Sequence, residues 1–409
     1  MDILFKQVRL KDGDSLKDVA IKDGKIEAIE NELNVEASRV IEGRGKVLIP
    51  GLVESHIHLD KALIADRLPN KSGTLQEALK VTAELKPTFS KEDILDRAER
   101  TLQMLIKHGT THIRTHSEFD PSQGFTGFET VMGLKEKYKG IVDIQVVAFP
   151  QEGILKAPGT EKMMYEAMDM GADVVGGIPY NDTPWDKHID LVFEIAKKYD
   201  KPVDFHQDFK DGPEGMNIEY VCEKTINEGY QGRVSVGHLT ALGALPKDRL
   251  QPIIEKMAEA QISVMSLPAT DLHLGGRHDE YNVRRALTPI RALRDGGVNM
   301  CIATNNIRNA FTPYGTGDVM LTAMLAIPAA HLGGADDLPT VLPMITTNPA
   351  KALQISGYGI AVGNNADVVL LETESVTNAI IDMPAKLFVV KSGKVTVETK
   401  KSVQFSFGN

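Results

Sequence analysis

The chain has 409 residues, more than one ordinary domain of roughly 100–200 residues but within the span of a single large barrel with a small attachment. Its 42% hydrophobic and 25% charged content is that of a globular protein and excludes wholesale disorder. A net charge of -10 with both signs interspersed argues against nucleic acid or an anionic membrane as partner, and two distant cysteines, Cys222 and Cys301, exclude a disulfide framework.

A reducing, cytoplasmic location is therefore expected, with no leader-type start and no apolar run long enough to span a membrane. Residues 1 to 50 read as short strands broken by turns: Ile3-Leu4-Phe5, Asp18 to Ile21, and Lys25 to Ile29 after an Asp23-Gly24 turn. From about 51 to 350, short apolar strands alternate with amphipathic helices, the pattern of a parallel sheet with helical crossovers. Eight barrel strands are predicted at Val47 to Val53, His112 to His116, Asp143 to Ala148, Val174 to Gly177, Pro202 to His206, Arg233 to His238, Ser263 to Ser266 and Asn299 to Thr304.

Helices are predicted between them at Lys91 to His108, Glu161 to Met170, Asp190 to Tyr199, Ile218 to Gly229, Lys247 to Ala260 and Tyr281 to Asp295. Trp185 is expected in a loop over the barrel mouth. Further helices span 316 to 355, and from Gly359 the chain returns to strand character at Ala366 to Leu371 and Leu387 to Val390. The fold expected is α/β: a (β/α)8 TIM barrel over 51–359, with residues 1–50 and 360–409 pairing into one small β-sandwich built from both termini.

The strongest chemical signal is His56-Ile57-His58 after the apolar run VLIPGLVES. Two residues separated by one share a face of a strand, so both imidazoles can converge on one ion. His206 and His238 close two later strands, and in a parallel barrel all carboxyl ends open onto one face. Imidazole clusters suit one divalent ion, zinc or iron foremost with manganese an alternative, and such an ion brings hydroxide chemistry to neutral pH. Asp208, two residues after His206, is expected by alternation to face the opening, as a general base, as a group that orients a neighbour or as a plain loop carboxylate, and Lys61 is either a holder of an anionic or carbonyl oxygen or a solvated loop lysine.

Segments GLVESHIHLDK (51–61), HGTTHIRTH (108–116), DIQVVAFPQEGIL (143–155), GADVVGGIP (171–179), KYDKPVDFHQDF (198–209), GRVSVGHLTA (232–241), CIATNNIRNAFTPYG (301–315) and YGIAVGNNADVVLL (358–371) together resemble the amidohydrolase superfamily. The resemblance is to its cytosine deaminase and isopropylammelide amidohydrolase branch, over nearly the whole chain. It implies His56, His58, His206 and the strand-eight position, Asn305 here, as metal ligands, with His238 orienting the reacting water or oxyanion. It places Gln151 against the ring's amide edge and Leu75 and Phe311 against its faces. His116 ends a strand without matching a ligand and is assigned to the pocket wall or to support. Two family carboxylates are missing: Asn305 stands for the strand-eight aspartate, and Phe209 for a glutamate after the strand-five histidine.

The function expected is metal-dependent removal of an exocyclic amine or alkylamine from a small pyrimidine- or triazine-like N-heterocycle. A barrel that only binds the heterocycle, and a cyclic amide hydrolase, stand as alternatives. The partner expected is that small molecule, with the chain itself assembled as a homo-oligomer.

Overall fold

The computed structural model describes residues 1–67 and 69–407. Eight parallel strands lie side by side in chain order: Leu52–Ile57, Thr110–Glu118, Asp143–Phe149, Val174–Gly177, Val203–Gln207, Val234–His238, Ser263–Ser266 and Asn299–Ile302. The ring is drawn together just past the eighth strand, where Asn305 bridges Ile57: Asn305 N–H donates to His56 O at 2.9 Å and His58 N–H to Asn305 O at 3.0 Å. The strands are buried over nearly their whole length, as a sheet covered on both faces requires, and Val203, Phe205, Val236 and Val264 sit in one large core with the surrounding helices.

Local chemistry explains the helix boundaries. Helix Lys91–Lys107 starts where the Ser90 hydroxyl accepts from Asp93 N–H, carries Glu92 and Asp93 in its first turn, and ends with Lys107. The five predicted helices up to Ala260 all form, with ends within a few residues, except that the third extends back to Trp185 (Trp185–Tyr199). Trp185 is therefore the first residue of a helix, edge-on to Tyr220, and not part of a loop. The predicted helix Tyr281 to Asp295 shrinks to Ile290–Asp295, because Pro289 interrupts the segment and fixes the start.

The first barrel strand is also displaced. Val47–Pro50 joins a four-stranded sheet with Val368–Leu371, Lys386–Lys391 and Lys394–Glu398, and only Leu52–Ile57 enters the barrel. A second four-stranded sheet holds Ile3–Val8, Lys17–Lys22, Lys25–Glu30 and Arg39–Glu42. The two sheets share a core in which Phe5, Val19, Ile21 and Ile26 meet Leu48, Val368, Leu370 and Val390, so both termini build the sandwich. Among the described residues no helix is long and apolar enough to cross a membrane.

Candidate active site

His56 lies inside the first barrel strand, His58 one residue beyond it, and His206 inside the fifth. Their side chains converge: His56 Nε2 is 3.2 Å and His58 Nε2 3.1 Å from His206 Nε2. Gly237 allows the approach, since a Cβ there would stand 2.7 Å from the His56 ring. Burial, reinforced by the neighbouring imidazoles and, at His58, first by the Lys61 ammonium, holds the affinity of all three rings for a proton well below the ordinary histidine range. Neutral rings present lone pairs, and one Nε2 cannot satisfy two others by hydrogen bonding alone. The Asn305 amide oxygen, in the same cavity, is buried with no partner. Imidazole nitrogens and an orphaned amide oxygen are a donor set that suits one divalent ion, and His56 has ring nitrogens within 4.8 Å of those of His206 and His238 and of those of His58 and His116.

His238 closes the sixth strand, and its Nδ1 lies 2.7 Å from Asp271 Oδ1. That bond fixes the ring and leaves its other nitrogen for the cavity, while Phe209 stacks on its face with ring centres 4.0 Å apart and planes at 13°. His238 and Asn305 adopt left-handed backbone (φ 72° and 61°), a conformation that is uncommon outside glycine and clusters at functional sites. Glu54 staples the first strand to the eighth by accepting from His56 N–H and from Thr304 N–H at 3.2 Å and from the Thr304 hydroxyl at 2.8 Å. Burial pushes its carboxyl up to about 7.

One wall carries a buried charge network. Lys61 Nζ donates to Glu118 Oε1 and, at 3.0 Å, to Gln151 Oε1, and it lies 4.6 Å from the centre of the Phe311 ring. Behind it Lys86 Nζ is 3.1 Å from Glu118 Oε2 and from Asp120 and 2.8 Å from Glu152. Burial alone would raise Glu118, but the two ammonium groups outweigh it and hold the carboxyl below its usual range. Asp60, which accepts from Glu118 N–H, is pushed up to about 6 by burial and by the Glu118 charge.

The cavity is thus lined by His58, His206, His238, Asn305, Lys61, Gln151, Leu75 and Phe311, together with Tyr180, Phe209, Thr270 and Asn306. Asp208, expected to face the opening, does not line it. The fifth strand ends at Gln207, Asp208 turns to φ 45°, and its carboxylate accepts from Asn217 and Ile218 N–H at the start of the helix Ile218–Asn227. His116 is also absent from the wall: it lies against the His56 ring at 4.0 Å, with Nε2 bonded to Asp204 at 3.1 Å. Sequence reading missed Asp271, Glu118 and Lys86. Each acts across a long stretch of sequence, and none sits in a local pattern that marks it.

Comparison with known proteins places this geometry. The sequence profile of the amidohydrolase family matches residues 39–397. N-isopropylammelide isopropyl amidohydrolase of Pseudomonas sp. (strain ADP) is 29% identical, with 97% of each chain covered. The crystal structure of 5-methylcytosine deaminase from Klebsiella pneumoniae liganded with phosphonocytosine superposes with a TM-score of 0.94 at 30% identity, covering 99% of this chain and 100% of that one. N-isopropylammelide isopropylaminohydrolase from Burkholderia multivorans superposes with a TM-score of 0.84 at 28% identity, over 97% and 98% of the two chains. With the profile spanning most of its length and the barrel and histidine cluster in place, this chain belongs to the amidohydrolase family and is a hydrolase of carbon–nitrogen bonds other than peptide bonds.

Proposed function

We propose that the enzyme removes an exocyclic amine or alkylamine from a small N-heterocycle of pyrimidine or triazine type. His56, His58 and His206 would hold one divalent ion, zinc or iron, with the Asn305 amide oxygen beside it. Such an ion, when bound, supplies Lewis acidity and makes hydroxide available near neutral pH. With Asn305 and Phe209 where the resemblance to this branch implies carboxylates, the base falls to His238. Its Nδ1–H is spent on Asp271, so the free nitrogen accepts a proton from water as the C–O bond forms at the ring carbon. The same nitrogen returns that proton to the departing amine as the C–N bond breaks. Lys61 and Gln151 grip the far edge of the ring, and Leu75 and Phe311 cover its faces. Asp208 is assigned a supporting role at the helix start, and His116 one behind His56.

The observation that carries this reading is a carboxylate-oriented imidazole opening onto the cavity that His58 and His206 line, with His56 converging on His206 behind them. The test is a panel of aminopyrimidines and aminotriazines assayed for released ammonia or alkylamine, with metal content measured on the same sample. Amine release that scales with bound metal supports the proposal. A new carboxylic acid with no amine identifies ring opening instead, and metal-free protein with no product removes the proposal.

A further inference from the structure

On the Lys61 side of the cavity wall the hydrogen-bond polarity is set by a group that can act in one sense only. An ammonium donates and never accepts, so the Gln151 atom 3.0 Å from Lys61 Nζ is the amide oxygen, and the Gln151 NH2 is left for the cavity. The same logic runs through a second amide pair. Asn309 Oδ1 accepts from Phe311 and Thr312 N–H at 3.0 and 3.1 Å, which forces Asn309 Nδ2 toward Asn306 Oδ1 at 2.6 Å and leaves the Asn306 NH2 unspent. Lys61, Gln151 and Asn306 all line the cavity, and no carboxylate does among the described residues. Glu118, the nearest acidic group behind Lys61, has its oxygens engaged by Lys61 and Lys86. This wall therefore offers three donor groups. The orphaned Asn305 oxygen belongs to the histidine cluster, and the Thr270 hydroxyl is paired with Thr312 at 2.7 Å.

We propose that the enzyme selects a heterocycle whose recognised edge carries only acceptors, a deprotonated ring nitrogen flanked by carbonyl oxygen, over the neutral N–H/C=O edge of a cytosine-like ring. The inference rests on the proposed function and deepens it by naming the substrate class. A ring N–H aimed at this wall is opposed by the Lys61 ammonium and two amide NH2 groups and finds at best the second lone pair of the Gln151 oxygen or the Tyr180 hydroxyl, a poorer match than an all-acceptor edge makes, and such mismatches give sites built for one hydrogen-bond pattern their discrimination. An ionised edge instead accepts from Lys61, Gln151 and Asn306.

The test is calorimetric titration of the full chain, as purified, at about pH 8. The probes are 6-azauracil, ionised at its imide at that pH, and uracil, which keeps its imide N–H; neither carries an amine to release. The azauracil anion is expected to bind at least tenfold more tightly. Gln151→Leu removes the NH2 without adding a charge, and it should shrink that preference at least threefold. Equal or tighter binding of uracil by the unaltered protein, or an unchanged preference in Gln151→Leu, overturns the inference. Because neither probe can be turned over by amine release, an anion preference in a protein that releases amine from no ring keeps this inference and removes the hydrolytic one. Amine release with no such preference does the reverse.

Discussion

His238 and Asp271 show how much of the chemistry rests on single contacts. The Nδ1–Oδ1 bond of 2.7 Å decides which imidazole nitrogen faces the cavity. Asp271→Asn can donate to Nδ1 and thereby reverse the tautomer, so steady-state rates should fall by about 10²–10⁴-fold while metal content stays unchanged. A loss of metal in that variant would instead place Asp271 among the groups that hold the ion. Asn305→Asp is expected to act oppositely, adding a charged ligand oxygen to the cluster, and chelator competition should show metal affinity rising at least tenfold, about 1.4 kcal/mol. His56, His58, His206 and His238 could be brought together from the sequence because each stands at or near the carboxyl end of an apolar strand in a barrel whose strand ends share one face. Asp208 was misjudged because alternation holds only while the strand lasts, and the strand stops one residue earlier. Asp271 gave no sign, since nothing local tells a helix aspartate that its partner lies 33 residues back.

At the scale of elements, the loop after the third strand carries Gln151 and is held by one carboxylate. Asp182 accepts from Ile154, Leu155, Lys156 and Thr183 N–H at 2.6–2.9 Å and from His188 Nδ1 at 2.7 Å. Burial would raise this carboxyl, but the His188 ring and the backbone donors outweigh it and hold it low. Asp182→Ala frees the loop and orphans four amides, so it should cost about 2–4 kcal/mol in thermal or urea unfolding and raise KM more than it lowers kcat. Equal loss in both constants would mean that the loop matters to the chemical step itself. The alternation of strand and helix made the barrel readable, but the run VLIPGLVESHI could not reveal that Pro50-Gly51 divides it between two sheets. Hydrophobic content marks a buried strand without saying which sheet buries it.

For the whole molecule, the junction of barrel and sandwich is a buried ion cluster. Lys391 Nζ reaches Asp367 at 2.7 Å, Asp143 of the third barrel strand at 2.6 Å and His112 Nε2 of the second at 3.3 Å. Lys391→Met strands the buried Asp367 and should cost about 3–5 kcal/mol in denaturant unfolding. Burial and, next, the Lys391 charge bring His112 down to about 4 from an ordinary 6.5. Between those values the unfolded chain binds a proton that the folded chain does not, so this stability is complete above about pH 6.5 and is lost as pH falls toward 4. In Lys391→Met the repulsion is gone, and the acid loss over that window should shrink. The sandwich itself was foreseeable because both ends of the chain carry short strands that need covering, whereas Arg39–Glu42 was missed for want of an apolar run. The central claim, that three imidazoles from two barrel strands share one divalent ion, is tested most directly by anomalous diffraction from crystals of the purified protein at the zinc and iron absorption edges. The account predicts one peak about 2.0–2.2 Å from the Nε2 atoms of His56, His58 and His206. A featureless map there, with the three rings hydrogen-bonded to water or to one another, would contradict it.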